Sequence, residues 1–156
     1  MNKLAKLRAM SGNERRWLMQ AWVLLPVVKV LLWKIGYRRT LANLERWLPL
    51  QPGNPGTANH KTQQQAITLG RLVNMAANHS PFVINCLPRS LVLCGMLRRA
   101  GLTAELRIGV QKESDAFAAH AWVEFCGQTL NEDPTVALDY SPFAESFVLP
   151  PEGLSP

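Results

Sequence analysis

The sequence is poor in cysteine, in acidic residues and in long uncharged apolar runs. Its three cysteines form no CxxC pair, which argues against a disulfide framework and against a zinc site. Cys94 and Cys126 are expected to be small buried apolar residues. In the apolar N-terminal region the longest uncharged run, residues 17–28, is shorter than the roughly 20 apolar residues that cross a bilayer. No small-residue cleavage site follows this run, so a secretory signal is not indicated, and free thiols favour a reducing cytoplasm.

The composition is that of a folded protein. With 156 residues, 47% of them hydrophobic and 18% charged, the chain is long and apolar enough to form one domain over residues 1–156. Apolar residues at helical spacing predict helices over residues 40–50 and 62–78, on either side of a Pro/Gly/Asn-rich loop at 51–61. We therefore divide the domain into a basic, apolar helical region (1–50) and a core region (62–150).

Positive charge is concentrated at the N-terminus. Residues 1–50 contain ten Lys or Arg against two acidic residues, a net charge of +8, whereas the remainder has a net charge of −2. We predict two short helices that are separated by a kink at Pro26 and pack on the core. The alternative is a surface anchored by Trp17, Trp22 and Trp33 that contacts the inner face of the membrane or a partner protein. No nucleic-acid partner is expected, because no binding motif accompanies the basic residues.

The most informative stretch of the sequence, residues 85–133, opens with a cysteine at a predicted helix start. Cys86 is followed by Pro88 and then by apolar residues at helical spacing, and proline is tolerated in the first turn of a helix. The N–H groups and the dipole of the helix start favour a thiolate at Cys86. Asn85 is expected to cap this helix, and Gly101 to end it.

Two alternating runs downstream predict a hairpin that carries a histidine. Residues 104–110 and 120–125 alternate apolar with polar side chains, which is the period of a half-buried strand, and His120 opens the second run. A glycine turn then leads into a third extended segment that ends in the acidic pair Glu132 and Asp133. A carboxylate on a neighbouring strand can orient an imidazole. Together with the upstream cysteine, this pattern predicts nucleophilic catalysis.

These motifs together resemble those of the lasso-peptide biosynthesis B proteins. The shared features are C-L-x-R-S-L at a helix start, a basic pair and glycine at its end, L-R-I-G-V, H-A-W-V-E, a glycine turn, and L-N followed by an acid. The resemblance covers Cys86 to about Val136 closely and the N-terminal region more loosely. It implies an α+β fold, namely a transglutaminase-like or papain-like cysteine peptidase core with a helical N-terminal region and a small antiparallel sheet.

The resemblance also implies a Cys-His-acid triad. Cys86 matches the nucleophile of the family and His120 matches its general base. The third member is usually the aspartate directly after the asparagine of L-N-D. Glu132 occupies that position here, and Asp133, one place later, is the alternative because a bulge could re-aim it. No cofactor and no metal are implied.

Enzymes of this family remove the leader from a ribosomally made lasso-peptide precursor. The implied substrate is therefore a precursor peptide, and the implied partner is a macrolactam synthetase that uses the released amine. The chain resembles the split form of the family, in which a separate small leader-recognition protein captures the leader. Two alternatives stay open: a transglutaminase-type thiol acyltransferase, and a non-catalytic partner-binding module whose only hint is Glu132 in place of aspartate.

Overall fold

Three helices and four strands make up the part of the chain that the computed structural model describes, residues 10–47, 59–111, 119–135 and 140–142. In chain order these elements are α1 (Gly12–Trp47), α2 (His60–Asn78), α3 (Cys86–Arg99), β1 (Glu105–Gln111), β2 (Ala119–Phe125), β3 (Gln128–Thr129) and β4 (Tyr140–Pro142). The predicted α+β fold is confirmed. Residues 51–58 of the predicted loop lie outside the described residues.

The first helix passes through Pro26 without interruption and changes direction at Gly36 instead. Proline removes only one backbone hydrogen bond from the helix, and the core holds the helix around it, because Leu25 and Val28 are buried. Gly36 has φ 76° and ψ 175°, a combination open mainly to glycine, and Thr40 Oγ1 donates to its carbonyl oxygen over 2.7 Å. The kink predicted at Pro26 was therefore wrong. The helix predicted to start at residue 40 is not separate but belongs to the second segment of α1, which ends at Trp47.

Because the helix continues through Pro26, its apolar part is longer than the run of residues 17–28 that the sequence suggested. Gly12–Leu44 is long and apolar enough to cross a membrane, by length and composition alone. One face of the helix nevertheless packs in the protein core, through Ala21, Leu25, Val28 and Leu44. Trp17 is partly buried and packs against the core, whereas Trp22 and Trp33 are 44% and 79% exposed.

The second helix begins at a reciprocal cap that the sequence interpretation missed. Asn59 Oδ1 accepts a hydrogen bond from the Thr62 N–H over 2.8 Å, and Thr62 Oγ1 accepts one from the Asn59 N–H over 3.1 Å. These bonds satisfy N–H groups that a helix start leaves without partners, so α2 begins two residues before the predicted position. The apolar residues at helical spacing that predicted it form its buried face, namely Ala66, Leu69, Leu72, Val73 and Ala76.

The third helix is the centre of the core. Residues 90–98 are all buried, and α3 contacts α1, α2 and the strands β1 and β2. Gly101 ends it as predicted, with φ 76°. The Leu102 N–H donates to the Leu97 carbonyl and the Gly101 N–H donates to the Arg98 carbonyl, each over 2.9 Å, which is the Schellman arrangement.

The four strands form one antiparallel sheet in the order β3-β2-β1-β4. In the register of the central pair, Gly109 lies opposite His120. Cys126 and Gly127 form the turn between β2 and β3 with φ values of 50° and 76°, as two-residue hairpin turns require. Cys126 is exposed, so its expected burial was wrong. Strand β4, which pairs with β1, was not predicted.

Candidate active site

The candidate nucleophile is the first residue of the central helix. Cys86 opens α3 and is half-buried. Asn85 occupies the cap position with extended backbone, φ −74° and ψ 172°, but its side chain makes no capping hydrogen bond, so the expected side-chain cap was wrong. The first N–H groups of the helix thus lack this side-chain acceptor, and such groups can stabilise negative charge that develops beside the sulfur.

The candidate base lies on β2 beside two aromatic rings that also contact each other. His120 is half-buried, and its ring centroid lies 5.2 Å from that of Tyr140 and 6.4 Å from that of Trp122. Trp122 is fully buried, and its Nε1 donates to Glu124 Oε1 over 2.8 Å. The indole is therefore fixed by both packing and a hydrogen bond, and it limits the positions that the imidazole can adopt.

The structure brings Glu132, and not Asp133, to the histidine. Glu132 Oε1 lies 3.5 Å from His120 Nε2, and both side chains are 21% exposed. Asp133 is exposed and accepts hydrogen bonds from the N–H and the hydroxyl of Thr135 over 2.9 and 2.7 Å. These two bonds hold the pKa of Asp133 below its usual value. The extended segment that was expected to carry the acid is only two residues long, because the chain bends after Thr129.

Arg89 joins the helix that carries the cysteine to the carboxylate. Its Nη2 lies 3.4 Å from Glu132 Oε1, and its side chain is 21% exposed. Arg89 comes three residues after Cys86, which is one helical turn. The cation from α3 and the imidazole from β2 therefore approach the same oxygen of Glu132. Through these contacts the structure gathers Cys86, His120 and Glu132 at the same end of α3.

A buried polar network fixes the helix against the strand at this position. Ser90 Oγ donates to the Ala121 carbonyl over 2.9 Å and accepts from Asn131 Nδ2 over 2.9 Å. Asn131 Oδ1 accepts from the Val123 N–H over 2.8 Å. Ser90 and Asn131 are 0% and 2% exposed, so water does not compete for these bonds. Ser90 lies one helical turn after Cys86, Ala121 is next to His120, and Asn131 is next to Glu132. These bonds therefore connect the segments that carry the three candidate triad residues.

The second helix supports the same segment from behind. Asn74 Nδ2 donates to the Asn131 backbone carbonyl over 2.9 Å. At Gly70 the helix approaches the backbone of Leu130 so closely that a Cβ atom would collide with the Leu130 carbonyl oxygen. A glycine at this point permits the contact. Residues 130–132 are thus held between α2, α3 and β2.

The sequence motifs predicted the three candidate triad residues and gave no prediction for the residues that support them. Arg89 and Ser90 stand inside the C-L-x-R-S-L motif, three and four residues after the cysteine, and this helical spacing was the available signal. Asn131 stands in the L-N-acid motif, which gives no indication of its hydrogen bonds to Ser90 and Val123. Tyr140 had no signal in the sequence, because its contact with His120 depends on the pairing of β4 with β1.

No cluster of three or more His, Cys, Asp or Glu that could hold a metal ion occurs among the described residues. Cys94 is buried in α3, and this burial raises the pKa of its thiol to about 12 against a smaller opposing effect of Arg98. Such a thiol is protonated and inert at neutral pH. Cys86 is the cysteine that combines partial exposure with a helix start.

The comparison with known families agrees with this geometry. The transglutaminase-like superfamily matches the chain over residues 31–145, which include Cys86, His120 and Glu132. The chain belongs to the transglutaminase-like superfamily. Neither the curated proteins nor the solved structures contain a match to it. Membership in the transglutaminase-like superfamily supports a cysteine-dependent enzyme of the peptidase or acyltransferase kind, the chemistry for which a thiol, an imidazole and a carboxylate are suited.

Proposed function

We propose that this transglutaminase-like protein is a cysteine peptidase that removes the leader from a ribosomally made lasso-peptide precursor. The observation that carries the proposal is the contact of His120 Nε2 with Glu132 Oε1 at 3.5 Å, beside the helix that Cys86 opens. The lasso-peptide substrate is supported by the resemblance of the motifs between Cys86 and Val136 to those of the B proteins.

The orientation of the imidazole defines how the thiol would be activated. Because Nε2 faces Glu132, a proton held on Nε2 leaves Nδ1 as the basic nitrogen. Nδ1 of His120 takes the proton of Cys86, and the thiolate attacks the carbonyl carbon of the scissile peptide bond. Glu132 stabilises the imidazolium that forms. The contact of 3.5 Å is longer than a hydrogen bond, and catalytic hydrogen bonds commonly shorten when substrate binds.

The start of α3 supplies the second requirement of the reaction. Attack places negative charge on the carbonyl oxygen, and N–H groups in the first turn of α3 donate hydrogen bonds to it. Collapse of this intermediate breaks the C–N bond, and His120 gives its proton to the leaving amine. Water then attacks the thioester, with His120 as base, and the hydrolysis releases the leader carboxylate and restores the Cys86 thiol.

The partners follow from the substrate. In this proposal a separate leader-recognition protein presents the precursor, and the free amine of the cleaved core passes to a macrolactam synthetase for ring closure. The cytoplasm is the compartment in which a ribosomal precursor meets a reduced thiol. No cofactor takes part in the proposed steps.

The decisive experiment is product analysis by mass spectrometry. The purified chain is incubated with the precursor and its leader-recognition protein, and Cys86→Ala is compared with the matched variant Cys126→Ser, which changes an exposed cysteine in the β2–β3 turn. A single cut between leader and core is expected for wild type and Cys126→Ser, and none for Cys86→Ala. An intact precursor in the presence of the bound recognition protein would contradict the peptidase.

A transglutaminase-type acyltransferase is the second candidate, because the family match supports thiol acyl chemistry without specifying the acceptor. Such an enzyme would pass the acyl group from Cys86 to an amine instead of water. Adding a primary amine and finding an amide in place of the free acid would favour it. If Cys86 forms no acyl-enzyme from the precursor, whichever acceptor is supplied, the chain would be the non-catalytic module.

A further inference from the structure

The outer side of α1 carries a series of exposed apolar side chains. The inner side of the helix contributes Ala21, Leu25 and Val28, each at most 1% exposed. Opposite them lies the outer strip, which we define as the exposed apolar residues Met19, Trp22, Val23, Val27, Val30 and Trp33, between 37% and 79% exposed. Apart from the neighbours Trp22 and Val23, successive members of the strip are three or four residues apart, which keeps the strip on one side of the helix. A helix that is apolar all round is normally buried on every side.

The charge around this strip has one sign. The sequence contains no acidic residue between Arg15 and Leu44. Exposed basic side chains lie at both ends of the strip: Arg15 and Arg16 at the first, and Lys34, Arg38 and Arg39 at the second. A strip of aliphatic and tryptophan side chains with cations at both ends is the composition of a helix that lies in the interface of an anionic membrane.

The apolar surface continues onto the segment that leads to the candidate nucleophile. Phe82 and Val83 are 56% and 79% exposed. They lie beside α1, because Lys29 Nζ donates to the Val83 carbonyl over 2.6 Å and Trp22 Nε1 donates to the His79 carbonyl over 3.4 Å. Exposed apolar side chains thus lie on two neighbouring segments that are distant in sequence. Contiguous apolar surface of this kind marks an interaction site.

We propose that the outer strip of α1, with Phe82 and Val83, binds the surface of an anionic lipid bilayer, with the helix lying in the plane of the interface. The orientation follows from the inner side of α1, which is committed to the core through Ala21, Leu25 and Val28. A helix that crossed the bilayer would have to leave that core. The basic residues then face the lipid headgroups, and Trp33 lies at the level where indole rings concentrate. The proposal does not depend on the peptidase activity.

The test is flotation of the full-length protein with vesicles. One set of vesicles contains phosphatidylcholine alone, and the other contains phosphatidylcholine and phosphatidylglycerol in equal parts. Wild type is expected to float only with the anionic vesicles and to be released by salt, since screening weakens the attraction. The double variant Val30→Ser/Trp33→Ser is expected to lower the partition coefficient about tenfold or more.

A charge-matched pair separates this surface from general attraction to a basic protein. Lys34→Gln removes a cation at the end of the strip, and Lys61→Gln removes an exposed cation on α2. Only Lys34→Gln should weaken binding, by roughly fivefold. Circular dichroism and thermal unfolding verify that every variant is folded, which is expected because the changed side chains are exposed.

Four outcomes would overturn the proposal. The first is the absence of flotation with anionic vesicles, and the second is equal weakening by Lys34→Gln and Lys61→Gln. The third is resistance of the bound protein to alkaline carbonate, which indicates a helix that crosses the bilayer. The fourth is a protein partner for the strip: a dimer in analytical ultracentrifugation, or a complex with the leader-recognition protein. In that case Val30→Ser/Trp33→Ser would abolish the protein contact and leave vesicle binding intact. A protein would then cover the strip.

Discussion

Asn131→Ala tests the buried polar network that holds the candidate site together. The side chain of Asn131 is buried and makes two hydrogen bonds, from the Val123 N–H to its Oδ1 and from its Nδ2 to Ser90 Oγ. Alanine leaves the buried Val123 N–H without its partner and removes a donor from Ser90. The unpaired Val123 N–H costs about 1–3 kcal/mol, and the bond lost by Ser90 Oγ, which still donates to the Ala121 carbonyl, costs about 1 kcal/mol. The free energy of unfolding should therefore fall by about 2–4 kcal/mol.

This loss is large against the whole stability of a domain, which is about 5–15 kcal/mol. It should lower the melting temperature by roughly 5–15 °C for a chain of this size. The measurement is urea unfolding followed by circular dichroism, with the midpoint and the m-value compared between variants, together with a thermal scan. Asn78→Ala at an exposed position of α2 is the matched control, and it should stay within about 0.5 kcal/mol of wild type.

A double-mutant cycle with Ser90→Ala shows whether the two side chains act as one unit. Ser90→Ala removes the donor to the Ala121 carbonyl and the acceptor of Asn131. Because the two residues share a bond, the double variant should be less destabilised than the sum of the single variants by about 1 kcal/mol. Strict additivity, or an Asn131→Ala variant as stable as the exposed control, would refute the argument that this network fixes the helix against the strand.

Three further predictions follow from other contacts. Glu132→Gln should lower the single-turnover rate of precursor cleavage at least tenfold, and Asp133→Asn should change it less than about twofold, because Glu132 contacts the imidazole and Asp133 bonds to Thr135 instead. The reverse ranking would make Asp133 the third member. Gly70→Ala should lower the melting temperature although alanine favours a helix by about 1 kcal/mol, because its methyl group meets the Leu130 carbonyl; a raised melting temperature would contradict that contact. Cys94, with its pKa raised to about 12 by burial, should stay unalkylated by iodoacetamide at about pH 8 until the chain is unfolded, as intact mass reports; modification of Cys94 in the folded protein would show that α3 opens.

Periodicity predicted four elements of the core. The helix over 62–78 and the helix that Cys86 opens have apolar residues at helical spacing, the two central strands have them at strand spacing, and the structure contains all four with small shifts at their ends. The break in α1 was predicted at the wrong residue. Proline often kinks a helix, but packing of Leu25 and Val28 in the core keeps this helix continuous at Pro26. The glycine that does break the helix, Gly36, carried no pattern of its own.

The candidate site shows a similar division between local and non-local information. Cys86, His120 and Glu132 could be selected because each stands in a short motif with a chemical reason. The supports could not be assigned, because the partners of Ser90 and Asn131 lie 31 and 41 residues away. Such pairings depend on how the helix meets the sheet, and spacing along the chain does not contain that information.

The burial of two polar side chains in an apolar core has a geometric explanation. Apolar packing between α3 and β2 restrains their distance but allows the helix to slide or rotate, because dispersion contacts have little directionality. The Ser90 and Asn131 bonds, at 2.8–2.9 Å, are directional, and they fix the register of the helix against the strand next to His120. A thiol and an imidazole on separate elements react only if their separation is held within about half an ångström. The network therefore meets a requirement of the site that apolar side chains of equal volume would not meet, even where they would contribute as much to stability.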